Sequence, residues 1–411
     1  MISRAGRGWT IIALALLIGA GLGYPSRAGA GGDPFPAYPW LAKNVTFWSQ
    51  VYGRYPSSQG LIHDSQDLGV IYQVVTLAGG TSDSEAARLA NERQIEAVKG
   101  RYRRLLLALA AGQPSGDPEE RRVRALFGPG AKAGVFAAAA DQIRFQRCLK
   151  DRFMAGVIRS GRYLGQIRAI FRRYQLPEDL AYLPHVESSF NYQAYSKSGA
   201  AGIWQLIPET GRRFLRIGPG IDERRDPIAA TQAAAQVLKL NHEKLGSWPL
   251  ALTAYNHGLN SMLRAKGQYG DFAGVWRRYD DPRFGFASRN FYAEFLAARE
   301  LAKNYRRHFH DLRPLPPLPA SLHTLTAAAS LAELSRRFKV RPATLAALNP
   351  ALLPPVLTGK EKAPKGYRLR LPSKPKPRQA LVTRRPGRGA TSLAIRRCRP
   401  HARSSPPTGT P

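Results

Sequence analysis

The sequence predicts a mainly α-helical protein with a small α+β unit near its C-terminus. Three observations carry this. From residue 84 to 175 apolar residues recur at mixed three- and four-residue spacing, the period of amphipathic helices. From 176 to 310 helix-start and helix-stop residues alternate with short polar motifs, without strand periodicity of any length. From 321 to 372 the order "LHTLT", "SLAELSRRF", "PATLAALN", "GYRLRLP" reads strand, helix, helix, strand.

The first thirty residues set the compartment. Arg4 and Arg7 precede an apolar run from Trp9 to Leu22, and Ala28-Gly29-Ala30 closes it. That is the layout of a signal peptide over 1–30, and the run is short for a membrane span. An uncleaved anchor is the other reading. The expectation is an exported protein of the periplasm or cell envelope, membrane-associated if the leader stays.

Residues 31–150 read as a mostly helical N-terminal region. "GVIYQVVTL" is its best strand candidate, and the part before it fits a strand or an amphipathic helix equally. "SEAARLANERQIEAVKGRYRRLLLALAAG" is a helix that stops at Gly112. "SGDPEERRVRALFG" opens another, with Asp117 as cap, Pro118 in the first turn, and Glu119 and Glu120 beside the positive helix end. Residues 136–174 form a long basic amphipathic segment, whose arginines fit a solvated face or a surface for an acidic polymer.

The region 151–310 follows, with its motifs in 176–305. Pro177 and two acids start one helix, and Asp226 and Pro227 start an Ala-rich one. "WPLALTAYNHG" stops at Gly258, and "ASRNFYAEFLAARELAKNY" is the last helix. A Pro-rich linker spans 311–320 and the strand–helix–helix–strand unit 321–372. The basic tail, 373–411, has a disordered composition.

The 411 residues carry 62 Lys and Arg against 28 Asp and Glu, a net charge of +34. Such a balance favours polyanions. Export turns the choice from nucleic acid to anionic envelope polymers. Cys148 and Cys398 lie far apart, so neither a disulfide framework nor a Cys/His metal site is expected, and no cofactor is called for. Nothing reports oligomeric state, and no bundle of membrane helices is expected.

The chemistry concentrates in "HVESSFNYQAYSKSGAAGIWQ", residues 185–205. Glycosidic cleavage needs a carboxylic acid kept neutral near pH 7 and stabilisation of an oxocarbenium-like centre. Glu187, flanked by Val186 and Ser188 with Phe190 and Tyr192 nearby, is the acid candidate. Ser188 and Ser189 are small enough to orient it without filling a sugar site. Gly199 and Gly202 permit close backbone approach or unusual dihedrals. Trp204 offers an aromatic face to a sugar, Gln205 an amide, and Tyr255 and Asn256 polar groups on apolar frames. His63 with Asp64, His185 and His257 read as structural. Two-carboxylate hydrolases place their acids about 5–9.5 Å apart. Glu209, Asp222, Glu223 and Asp226 are the next acids in the chain, so a water-using muramidase stays open.

"ESSF", "SGAAGIWQ" and "AYNHG", in that order, resemble the catalytic domain of soluble-type lytic murein transglycosylases, and within them the membrane-bound D branch. The resemblance implies a lysozyme-like α fold. It implies cleavage of the MurNAc–GlcNAc β-1,4 bond of peptidoglycan to a 1,6-anhydro-MurNAc end, with one Glu, here Glu187, as acid and then base. Gln205, Tyr255 and Asn256 match its motif positions. A family Tyr on the late helix falls on Tyr292, or on Phe291 if aligned through "FLAA". Trp204 stands where other branches carry Met. The 321–372 unit resembles a LysM module, a βααβ glycan binder, without its usual "GDTL" opening. Glycan binding or a structural cap on the catalytic region are its two readings. For the whole chain, the alternative to an enzyme is a non-catalytic wall-binding scaffold.

Overall fold

The computed structural model describes residues 32–113 and 116–373. The expected leader, and all of the basic tail beyond Ser373, lie outside the described residues. The chain begins with a single turn, Pro39–Leu41, and α1 (Ala42–Gly53). Then come β1 (Gln59–Asp64), β2 (Ile71–Thr76), α2 (Glu85–Ala110), α3 (Pro118–Leu126), α4 (Ala133–Ala140) and β3 (Ile143–Arg147). The central run is α5 (Lys150–Ser160), α6 (Leu164–Arg173), α7 (Pro184–Glu187), α8 (Pro208–Arg212), α9 (Pro227–Leu245), α10 (Trp248–His257), α11 (Leu259–Tyr269), α12 (Phe272–Arg278), α13 (Phe286–Lys303) and α14 (Tyr305–His308). The chain closes with β4 (Ala320–Thr324), α15 (Leu331–Phe338), α16 (Pro342–Leu348), α17 (Pro354–Leu357) and β5 (Arg368–Pro372). The mainly α fold with a small α+β unit is as expected.

Helix ends follow their residues. The Asp226 carboxylate accepts the N–H groups of Ile228 and Ala229 at 2.8 and 3.0 Å, and Pro227 sits in the first turn of α9. Gly246 ends that helix at φ 66°, in the left-handed region that Gly enters without cost. Asp117 caps α3 as predicted.

The segment 136–174, expected to be helical throughout, is not, and this corrects the sequence reading. β3 interrupts it and pairs antiparallel with β1, Gly60 opposite Arg147 and Asp64 opposite Ile143. β1 is buried from Gly60 to Asp64, so it needs a partner on each edge; the sheet order is β2-β1-β3. The short alternating run "IRFQR" lies between two helical periods, which masks its own. The N-terminal region is therefore less helical than expected.

That region is also not set apart at residue 151. Phe35, Phe47, Trp48 and Val51 share one core with Phe153, Phe171, Leu238 and Phe295. The sheet and α2–α4 bury a smaller core of Ile62, Tyr72, Tyr102, Leu106 and Phe136. Residues 33–36 lie as a strap along α13. The Phe35 ring is 5.0 Å from Phe295, Asp33 accepts both Arg299 N–H groups at 2.8 and 2.7 Å, and the Tyr292 hydroxyl donates to the Pro36 carbonyl at 3.0 Å.

In the C-terminal unit β4 pairs antiparallel with β5, and Ser330 with Glu333 forms a capping box on α15. α17 is an added turn. Its core, with Leu334, Leu345, Val356 and Leu369, includes Ile221 from the central run. Among the described residues no helix is long and apolar enough to cross a membrane.

Candidate active site

Glu187 ends α7, a single turn opened by Pro184. The chain then reverses: the Ser188 and Phe190 N–H groups both donate to the Pro184 carbonyl. Ser189 and Phe190 take φ of 50° and 58°. Such left-handed non-Gly residues cost about 1–3 kcal/mol each and persist only where packing over-determines them. Here Phe190 is fully buried with its ring 4.6 Å from His185, and the Ser189 carbonyl accepts Arg159 Nε and Nη2 at 3.2 and 2.7 Å.

This turn leaves Glu187 where two clefts meet. One, of about 640 Å³, is lined by Gln205, Glu209, Arg213, Tyr255 and Asn256. The other, of about 610 Å³, is lined by Arg152, Arg159, Ser188, Ser189 and Asn191. Glu187 keeps part of its surface open, yet burial of the carboxyl pushes its pKa up to about 8, and the charge of Glu294 adds to the rise. Glu294, on α13, is itself pushed up to about 7 by burial, against the opposing hydrogen bond that Tyr52 Oη donates at 2.9 Å. The phenols of Tyr52 and Tyr255 are both driven well above the ordinary tyrosine value, burial first, and each feels the charge of Glu187. A carboxyl in such surroundings holds its proton at neutral pH and can deliver it.

The "SGAAGIWQ" loop forms one wall. Gly202, at φ 76°, has no room for a Cβ, which would lie 1.9 Å from the Arg224 carbonyl oxygen. Gly202 therefore serves loop packing and does not line either cleft. Trp204 is also corrected: it is wholly buried, edge-on to Phe171, with its indole N–H donated to Thr231 Oγ1 at 2.8 Å. The aromatic face expected to meet a sugar meets core instead, because the loop turns inward to be anchored by α9. Gln205 does line the first cleft. It adopts φ 46° and donates its amide to the Gly202 carbonyl at 2.8 Å. Tyr255 Oη donates to the Trp204 carbonyl at 2.8 Å, Asn256 Oδ1 accepts from Ser288 Oγ at 2.8 Å, and Ser188 Oγ donates to the Ile203 carbonyl at 3.0 Å.

Tyr292 does not face Glu187. It is wholly buried under the 33–36 strap, and Phe291 beside it is buried too. The inward acid of α13 is Glu294, which the sequence reading missed. Its signal was present: Glu294 lies three residues after Phe291 and four before Ala298, on the apolar stripe. Of the other acids, Asp222 pairs with Arg224, Glu223 with Arg216 and Asp226 with Arg370, whereas Glu209 lines the first cleft. Arg224 was also missed. It grips Asp222 through Nε and Nη2 at 2.9 and 2.7 Å, and its Nη1 donates to the Gly199 and Leu206 carbonyls at 2.7 and 3.0 Å, so it fastens both ends of the wall. His185 and His63 are buried and held neutral, their pKa values lowered to about 3 and about 4 by burial. His257, in contrast, lines the first cleft. Cys148 is a buried free thiol.

The class of domain that this fold and site define is given by a family match: residues 167–274 match the Transglycosylase SLT domain. The lysozyme-like helical architecture expected of the central run comes with it, although α13, with Glu294, lies beyond the matched residues. More particularly, the chain is 32% identical over 210 residues to membrane-bound lytic murein transglycosylase D of Escherichia coli strain K12, covering 47% of this chain and 43% of that protein. The same figures hold for the protein of that name in Escherichia coli O6:H1. A putative tributyltin chloride resistance protein of Alteromonas sp. strain M-1 is 39% identical over 105 residues, 25% of this chain and 51% of that protein. An inactive mutant of the lytic transglycosylase Slt from Pseudomonas aeruginosa aligns at a TM-score of 0.29 and 19% identity, over 37% of this chain and 25% of that one. The chain spans under half the length of the type D relatives.

Proposed function

We propose that the chain is a lytic transglycosylase that cleaves the MurNAc–GlcNAc β-1,4 bond of peptidoglycan and leaves a 1,6-anhydro-MurNAc end. The observation that carries the proposal is a carboxyl held protonated where two clefts meet. Glu187 gives its proton to the glycosidic oxygen, and the C1–O bond breaks. The C6 hydroxyl of the same sugar then bonds to C1 while its proton passes to the Glu187 carboxylate, which ends protonated as it began. The nucleophile is internal to the substrate, so one carboxyl suffices. Gln205, Tyr255 and Asn256 on one side, and Ser188 and Ser189 on the other, are the proposed sugar-binding groups. Gly202, Trp204 and Tyr292 support the loop and the strap.

Glu294 favours a second reading, a muramidase-type hydrolase. It is a second carboxyl near enough to raise the pKa of Glu187, and two carboxyls are the usual equipment for delivering water. Mass analysis of products from purified sacculi separates the readings. Anhydro ends support the transglycosylase and reducing ends the hydrolase; retention without release supports a binding scaffold.

Two further results are expected. Glu294→Gln removes the charge that helps raise the pKa of Glu187. The alkaline limb of the pH–rate profile then moves to lower pH; a profile that stays in place removes Glu294 from the site's electrostatics. Tyr292→Phe loses only the bond to the Pro36 carbonyl, about 1 kcal/mol of stability. Its product release stays within about twofold of wild type, since a buried strap contact adds nothing to the differential binding of a transition state.

The name of the type D relatives and the leader-like first thirty residues support a place in the cell envelope. There the positive charge meets anionic wall and membrane polymers, and nucleic acid is not a natural partner. For the 321–372 unit the cap reading is favoured. Its residues 351–353 bond to the backbone of residues 220–222 and so are committed to the central run.

A further inference from the structure

We infer that Arg370, in β5 of the C-terminal unit, is a positioning residue for the cleft wall, and that this unit holds the wall in shape. The geometry stands independently of the proposed function; only the turnover readout rests on it. The Arg370 guanidinium grips Asp226 through both ends, Nη2 to Oδ1 at 2.7 Å and Nη1 to Oδ2; the Asp226 side chain is buried and that of Arg370 largely so, at 6% and 14% exposure. Asp226 Oδ1 simultaneously caps α9. One turn on, Thr231 Oγ1 donates to the Pro227 carbonyl and accepts the Trp204 indole N–H at 2.8 Å. The Trp204 carbonyl in turn accepts the Tyr255 hydroxyl, which feels the charge of Glu187. A continuous chain of hydrogen bonds and one helix turn thus joins β5 to the acid's surroundings.

A second route runs through the loop before α9. The Asp222 N–H donates to the Ala351 carbonyl at 2.8 Å and the Leu353 N–H to the Gly220 carbonyl at 3.0 Å. Arg216 Nη2 donates to the Gly366 carbonyl at 3.2 Å. The same loop carries Arg224, which holds the Gly199 and Leu206 carbonyls at the two ends of the wall. A module that only tethers the enzyme to its polymer needs none of this. Even the linker is fixed, the Leu315 N–H donating to the Ile158 carbonyl at 2.9 Å.

The test uses the full chain with Arg370→Gln, Arg370→Lys and Lys362→Ala, each read by amide hydrogen exchange and by turnover on purified sacculi. Lys362 pairs with Glu333 at 3.9 Å on the surface of the C-terminal unit. In Arg370→Gln, exchange across residues 196–206 is expected to quicken on the order of tenfold, and kcat to fall by a similar factor with KM little changed. Arg370→Lys restores part of both, since a lone ammonium meets Asp226 without the two-pronged fit. Lys362→Ala leaves both at the wild-type level. Faster exchange confined to 320–372, with 196–206 unmoved, overturns the inference, as does a rise shared evenly by the whole molecule. Should Arg370→Gln not fold, Arg370→Lys carries the comparison by the same readouts. If the wild-type chain releases no product, the proposed function fails while the exchange result still decides the coupling.

Discussion

Glu187→Gln lowers release of soluble glycan from sacculi by on the order of a thousandfold, the scale of a lost general acid. Binding to sacculi survives, because the two clefts keep their walls. Gln is nearly the same size and can neither give nor accept the proton. The variant also carries a thermodynamic signature. Burial raises the folded pKa of Glu187 to about 8, above the ordinary carboxyl value. Below that ordinary value both folded and unfolded states hold the proton, and the acid costs nothing. As pH rises towards 8 the unfolded state loses its proton first, and the wild type loses stability relative to the Gln variant. Thermal unfolding followed from pH 4 to 8 therefore shows the variant gaining on the wild type with rising pH. A variant that remains active removes Glu187 as the acid. A stability difference that does not change with pH removes the buried, protonated carboxyl.

Arg224→Met costs about 3–5 kcal/mol of unfolding free energy, the usual result of stripping one partner from a buried ion pair. The side chains of Arg224 and Asp222 are 2% and 7% exposed, so Asp222 is left charged with almost no solvent to receive it. The Gly199 and Leu206 carbonyls lose a donor in the same change. Urea unfolding measures the loss. The double variant Asp222→Asn with Arg224→Met recovers part of it, because no charge is then stranded. If the single variant unfolds at the wild-type urea concentration, Arg224 is not what fastens the wall.

Both experiments rest on residues of unequal visibility in the sequence. Glu187 was legible because its chemistry needs a particular neighbourhood, and "ESSF" with "SGAAGIWQ" supplies it in linear order. The caps of α3, α9 and α10 were legible for a similar reason: Asp, Pro and Gly act on the backbone next to them. β3 was not, since five alternating residues between two helices matter only once β1 offers an edge. Trp204 was misread because an aromatic beside a catalytic motif can face either the cleft or Thr231, and only the three-dimensional turn of the loop decides. Glu294 lies 107 positions after Glu187, and Arg370 lies 144 after Asp226. Partners so remote leave no local pattern, only a polar residue on an apolar stripe or an arginine in a strand.

The strap of residues 33–36 has a practical bearing. Phe35 is wholly buried between Phe295 and Trp248, and Asp33 is clasped by Arg299. An affinity handle fused directly to residue 32 therefore sits next to that clasp. A handle grafted directly there has to bring its own leash, and trimming past Phe35 uncovers Phe295 in the middle of α13.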